Sequence, residues 1–150
     1  MTESEREAEL GRLKETHKSR RTAYKGKVTT LRRSAEPFVT GARTYDEVSV
    51  SSYLKRLEDY KGIIENLDRE ISECCTDKIE CDTHNAASID YIDELCEFIE
   101  NLRQKRDSHH AQLAQDAQQR ILQQSVSQAS PSTSSHPPPA PVNPSLQSDL

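Results

Sequence analysis

Apolar side chains recur every three or four residues through the middle of the chain, which is the spacing of an amphipathic helix. The clearest stripe consists of Leu54, Leu57, Tyr60, Ile64, Leu67 and Ile71. Charged side chains between them, Asp68 among them, are expected to face water. Thr44 and Glu47 have the spacing of a capping box, which marks a helix start. We therefore predict a helix over residues 44–76.

A second stripe follows a segment rich in Thr, Asp and Asn, residues 74–88, which is predicted to be a break or a weakened helix. The members of this stripe are Ile92, Leu95, Ile99 and Leu102, and the spacing continues to Leu113. A reversal near residues 74–80 would lay a helix over about 80–122 antiparallel to the first. Residues 44–122 are thus predicted to form an antiparallel, coiled-coil-like helical hairpin.

The two ends of the chain differ from this middle. Residues 1–36 carry a narrower apolar stripe, and we predict a basic N-terminal helix that Pro37 ends, with Gly41 in a short loop. From residue 123 onward Gln, Ser and Pro predominate, and such a segment cannot bury enough apolar area to offset its ordering entropy. The expected fold class is all-α, with residues 123–150 as a disordered tail.

Composition argues against a catalytic site. Hydrophobic residues make up 33% of the chain, aromatic residues 5%, and there is no Trp. A large closed core, which deep pockets with shifted pKa values require, is not expected from these proportions. Paired carboxylates such as Asp93 and Glu94 have no apolar pocket predicted around them. We expect a non-enzyme without a cofactor or a small-molecule substrate.

The cysteines give a weak metal signal. Cys74, Cys75, Cys81 and His84 could in principle surround zinc, but the first two are adjacent and would project about 100° apart on a helix. We expect no metal site, and interpret Cys74 and Cys96 as small apolar stripe residues and Cys81 as a loop thiol.

The N-terminus is charged and no long apolar run is present, which predicts an intracellular protein, cytoplasmic or nuclear and not secreted, with reduced thiols and no membrane partner.

The charges are strongly segregated. Residues 12–43 carry ten basic and two acidic side chains, whereas residues 44–101 carry five basic and sixteen acidic ones. Clustered cations of this kind suit phosphate contacts with RNA or DNA. Alternatively they form a solvated face or pair with the acidic helix that follows. The candidate nucleic-acid contacts are Lys18, Arg20, Arg21, Lys25, Lys27, Arg32 and Arg33.

The order of these features suggests a family. Ser19-Arg-Arg-Thr-Ala-Tyr-Lys-Gly-Lys-Val-Thr-Thr-Leu precedes a loop, then come Tyr53-Leu-Lys-Arg-Leu-Glu-Asp-Tyr-Lys-Gly-Ile-Ile and Tyr91-Ile-Asp-Glu-Leu-Cys-Glu-Phe-Ile-Glu-Asn-Leu. Over residues 10–115 the chain resembles the N-terminal helical region of Pao/BEL-type retrotransposon Gag polyproteins, a domain of unknown function. The resemblance implies particle assembly or nucleic-acid packaging, and it carries no catalytic residues.

Taken together, the patterns favour a self-associating helical interaction module. The ten stripe residues on the two hairpin helices, which we call the seam residues, would make its contacts. The alternative is a nucleic-acid-binding protein that uses residues 12–43.

Overall fold

The computed structural model describes residues 1–132, and side chains as far as residue 126. This part of the chain contains three helices: α1 (Glu3–Thr40), α2 (Glu47–Cys74) and α3 (Lys78–Ser132). No strand occurs within residues 1–132. The all-α prediction is therefore confirmed. The chain divides into two compact units, Met1–His109 and a second that begins at His110.

The first unit is a bundle of three helices. Tyr24 of α1 packs on Tyr60 of α2, and Phe38 packs on Tyr53, with ring centroids 5.7 Å and 6.1 Å apart. These two pairs run in opposite directions along the chain, so α1 and α2 are antiparallel. Ser72 and Cys81 meet across the next connection, with Oγ and Sγ 3.2 Å apart, and the predicted α2–α3 hairpin is confirmed.

The core of the first unit receives side chains from every helix. Its most completely buried large members include Leu57, Ile64, Ile71, Leu95 and Leu102. Helix α1 contributes Val28, Leu31, Ala35 and Phe38, so it belongs to the bundle and does not project from it. Eight of the ten seam residues are buried, and Tyr60 and Ile92 are half-buried. The predicted stripes are therefore the inner faces of this chain's own helices.

The predicted end of α1 at residue 36 is wrong, because the helix continues through Pro37 to Thr40. Proline removes only one backbone N–H, and close to a helix end the lost hydrogen bond is easily offset by packing. Phe38, only 4% exposed, supplies that packing. Gly41 ends the helix with a φ of 84°, a left-handed conformation that glycine adopts without strain.

The helix starts also differ from the prediction. Asp46, and not Thr44, caps α2, since its carboxylate accepts the backbone N–H of Ser49 at 3.0 Å. The helix starts too late for Thr44 to take the cap position. A true capping box stands at the start of α1, where Thr2 and Glu5 each accept the other's backbone N–H.

The predicted break over residues 74–88 shrinks to residues 75–77. Asp77 starts α3, because its carboxylate accepts from Ile79 N and its carbonyl from Cys81 N, at 3.2 Å and 3.0 Å. The polar residues that suggested a loop are therefore helix-start residues. Helix α3 reaches Ser132, so it includes the first ten residues of the predicted tail 123–150. Residues 133–150 lie outside the described part.

Candidate interaction surfaces

A polar cluster joins the three helices of the first unit. Arg21 of α1 donates its Nε–H to Oδ1 of Asp68 on α2, and His84 Nε2 of α3 lies 3.4 Å from the same oxygen. Ser88 Oγ lies 3.4 Å from that His84 nitrogen. Asp68 is only 8% exposed, so its predicted place on the wet face is wrong. A buried carboxylate needs charged or hydrogen-bonding partners, and the cluster provides them.

Ser88, His84 and Asp68 are the residue types of a hydrolytic triad, but their geometry is different. In a triad the carboxylate holds one imidazole nitrogen and the hydroxyl meets the other. Here Asp68 and Ser88 both approach Nε2 of His84. Ser88 is also only 7% exposed. This arrangement connects helices and does not present a nucleophile.

Most of the predicted nucleic-acid contacts on α1 point toward the neighbouring helices. On the α3 side, Lys18 Nζ lies 3.8 Å from Glu80 Oε1, and Lys25 Nζ lies 4.5 Å from the centre of the Tyr91 ring. Arg32 lies 4.8 Å from the centre of the Phe98 ring. These contacts lie along the α1–α3 edge, where the acidic and aromatic partners are.

On the α2 side, Arg21 pairs with Asp68, and Lys27 Nζ lies 4.7 Å and 5.8 Å from the ring centres of Tyr24 and Tyr60. Partial burial lowers the pKa of Lys25, and the charge of Arg21 lowers it further.

The seven predicted nucleic-acid contacts include five with a partner inside the bundle. The remaining two, Arg20 and Arg33, are exposed, and Lys27 is exposed as well.

The outward face of α1 carries several threonines. The hydroxyls of Thr22, Thr29 and Thr30 donate to the carbonyls of Lys18, Lys25 and Gly26, at 3.1, 3.0 and 3.2 Å. Their hydrogen-bond donors are therefore used within the helix.

A groove runs between α2 and α3 on the side away from α1. It holds two cavities. The larger, about 600 Å³, is lined by Glu58, Lys61, Cys96, Glu97, Ile99, Glu100 and Arg103. The smaller, about 270 Å³, is lined by Glu65, Asp68, Ser88, Ile89, Ile92 and Asp93. We call these residues together the hairpin groove.

The side of the bundle on which the groove lies follows from helix geometry. Cys96 comes five residues after Tyr91 and therefore projects about 140° away from it around α3. Tyr91 faces α1, since Lys25 and Arg21 lie over its ring. Arg103 of α3 and Glu58 of α2 pair across the groove, with both side chains partly exposed.

The part of α3 in the second unit carries exposed apolar side chains. Leu113, Ile121, Leu122 and Val126 are 52%, 64%, 60% and 70% exposed. Leu113 and Ile121 lie about 80° apart around the helix, and we call this pair the distal patch, whereas Leu122 projects about 180° away from Leu113. Asp116 and Arg120 are the only Asp, Glu, Lys or Arg residues between positions 110 and 126. Apolar side chains on a helix with so few charges are typical of a contact surface.

The remaining candidate residues are dispersed. Within residues 1–132, no group of three or more His, Cys, Asp or Glu side chains could hold a metal ion. Cys74 is buried as predicted, but Cys96 is exposed and Cys81 lies in α3, so those two interpretations are wrong. Burial raises the pKa of the Cys75 thiol, and neighbouring Cys81 raises it further. His17 and His109 are half-buried.

Sequence reasoning missed the polar cluster and the aromatic partners of the basic residues. Asp68, Ser88 and Phe98 fall at the helical spacing of the apolar stripes, and this spacing was the available signal that they face inward. Asp68 and Ser88 were missed because their residue types are polar. In the described helices, none is long and apolar enough to cross a membrane. Comparison with protein-family models, curated proteins and solved structures finds no match to this chain. The resemblance to Gag polyproteins therefore stays a prediction.

Proposed function

We propose that the protein is a non-catalytic interaction module that self-associates through the distal patch on α3. The observation that carries the proposal is the exposure of Leu113 and Ile121, each at least half exposed. Leu113 and Ile121 are eight residues apart, so they lie within one helical stripe, with Ala117 between them. Burying such side chains between two copies removes apolar surface from water, which favours association.

The proposed contact surface differs from the one that the sequence pattern predicted. The seam residues were expected to join copies, but they already pack within the bundle, and separating them would expose the core. Ile121 belongs to the distal patch and lies outside that core. Self-association through the distal patch leaves the bundle intact, so folding and assembly need not compete.

The proposal agrees with the role that the family resemblance implies. Particle assembly requires a folded unit and a separate contact surface, and the exposed pair Leu113 and Ile121 outside the packed core supports the proposal of such a surface. The support that the resemblance gives comes from the sequence pattern.

The distal patch can be tested by a double variant with a matched control. Leu113→Ser with Ile121→Ser removes the two exposed apolar side chains of the patch, and Val48→Ser with Ile79→Ser removes two still more exposed ones from the bundle. Sedimentation velocity should show dissociation of the first variant and an unchanged distribution for the second. Equal behaviour of the two variants would contradict the assignment.

A further inference from the structure

The hairpin of α2 and α3 has two long sides, and the part of the chain that the structure describes covers only one of them. Helix α1 covers the first side with cations that reach acidic and aromatic partners, such as Arg21 on Asp68 and Lys25 over Tyr91. The hairpin groove lies on the second side. It combines half-buried or exposed apolar residues with carboxylates, as the first side does.

The charge of the hairpin groove is unbalanced. Its lining includes six carboxylates and only two cations, Lys61 and Arg103. Lys61 pairs with Glu65 at 3.3 Å, and Arg103 pairs with Glu58 and Glu100. Both cations of the groove are therefore used, and neither pairs with Asp93 or Glu97. Ile89 stands beside them, 60% exposed.

Asp68 gives an independent indication of an occupant. It lines the smaller cavity, and its side chain keeps only 11% of its exposure. Arg21 and His84 both approach its Oδ1, whereas its Oδ2 is buried with no hydrogen-bond partner among the described residues. A buried carboxylate oxygen without a donor is unfavourable, and a cationic group entering the cavity would supply one.

We propose that the hairpin groove binds a basic amphipathic helix of a partner protein. Apolar residues of that helix would cover Ile89 and Ile92, and its lysine or arginine side chains would face Asp93 and Glu97. This is the helix-in-groove mode of recognition, with charge complementarity to orient the partner. The partner would complete on the second side of the hairpin the arrangement that α1 makes on the first.

The groove goes beyond the proposed self-association, because it shares no residue with the distal patch. The two can therefore fail separately. An unmodified chain that self-associates but does not bind the peptide would contradict the groove alone. An unmodified chain that binds the peptide but stays monomeric would contradict the distal patch alone.

The test uses the full chain and a short fluorescent peptide of leucine and lysine that forms an amphipathic helix. Fluorescence anisotropy should show binding that weakens as salt is added, and a leucine–glutamate peptide of equal length should not bind. The groove variant Asp93→Lys with Glu97→Lys should weaken binding about tenfold or more, because like charges then face each other. Circular dichroism confirms that each variant keeps its helices.

Two matched controls locate the binding. Asp59→Lys with Glu73→Lys makes the same charge change at exposed positions outside the groove, and it should leave the affinity within about twofold. Ile89→Ser should weaken binding, whereas Ile79→Ser, also at an exposed isoleucine, should not. No binding of the leucine–lysine peptide, or equal loss in groove and control variants, would overturn the proposal.

Discussion

Arg21 on α1 donates its Nε–H to Asp68 on α2, and the two side chains keep only 15% and 11% of their exposure. This pair joins the basic and the acidic halves of the chain inside the bundle. The segregated basic and acidic segments of the sequence therefore contact each other within one molecule.

The Arg21–Asp68 pair should respond differently to one substitution and to two. Asp68→Ala leaves a buried guanidinium without its carboxylate, and we expect it to lower the free energy of unfolding by about 3–5 kcal/mol. Arg21→Met with Asp68→Leu removes both charges and should be less destabilising than the single change. Urea unfolding measures both. A double variant that is less stable than Asp68→Ala would contradict this account.

Leu57 and Leu113 provide a test of which apolar residues belong to the core. Leu57 is 0% exposed and Leu113 is 52% exposed. Leu57→Ala should lower the free energy of unfolding by about 2–5 kcal/mol, because it leaves a cavity in a packed core. Leu113→Ala should change it by less than about 0.5 kcal/mol when measured at a concentration where the chain is dissociated. Equal losses in chemical denaturation would contradict the assignment of core and surface.

Glu80 should give the stability of the bundle a dependence on acid. The ion pair with Lys14, 2.7 Å between Nζ and Oε1, lowers the pKa of Glu80. A carboxylate with a lowered folded-state pKa stabilises the fold above its unfolded pKa, and this stabilisation disappears as pH falls through the folded value. Thermal melts of Glu80→Gln should therefore lose part of the acid dependence.

Glu9→Gln, at an exposed glutamate of α1, serves as the control for Glu80. Its melting temperature should follow that of the unchanged chain from neutral to acidic pH. If Glu80→Gln follows the same curve as both, the Lys14–Glu80 pair does not contribute to stability in solution.

The nucleic-acid alternative stays a prediction, and the surroundings of the basic side chains determine how strong it can be. Two exposed arginines, Arg20 and Arg33, would give a salt slope of about 2 on a logarithmic plot of affinity, whereas all seven candidates would give about 6. We expect filter binding with double-stranded DNA to show weak retention and the smaller slope. A slope near the larger value would mean that the bundle contacts do not hold the basic residues.

The hairpin could be predicted from sequence because its stripes are long, regular and made of large aliphatic residues. Leu54 to Ile71 and Ile92 to Leu102 repeat at helical spacing without interruption, and burial of such stripes dominates helix packing. The position of the turn was also predictable to within a few residues. Its polar residues, however, start α3 and do not interrupt it.

The docking of α1 and the polar cluster could not be predicted in the same way. The α1 stripe predicts a partner but does not say whether the partner is the same chain or another one. Pro37 indicates a helix end, and only the packing of Phe38 shows that the helix continues. Asp68 has the residue type of a surface position, and its burial depends on Arg21, which lies 47 residues away in sequence.

The most direct test of the interaction-module account is sedimentation equilibrium of the unmodified chain over a range of concentrations. If the chain self-associates through the distal patch, its mass should rise with concentration above the 17.0 kDa of one chain. The mass should return to 17.0 kDa when Leu113 and Ile121 are both replaced by serine. A mass of 17.0 kDa at every concentration would contradict self-association.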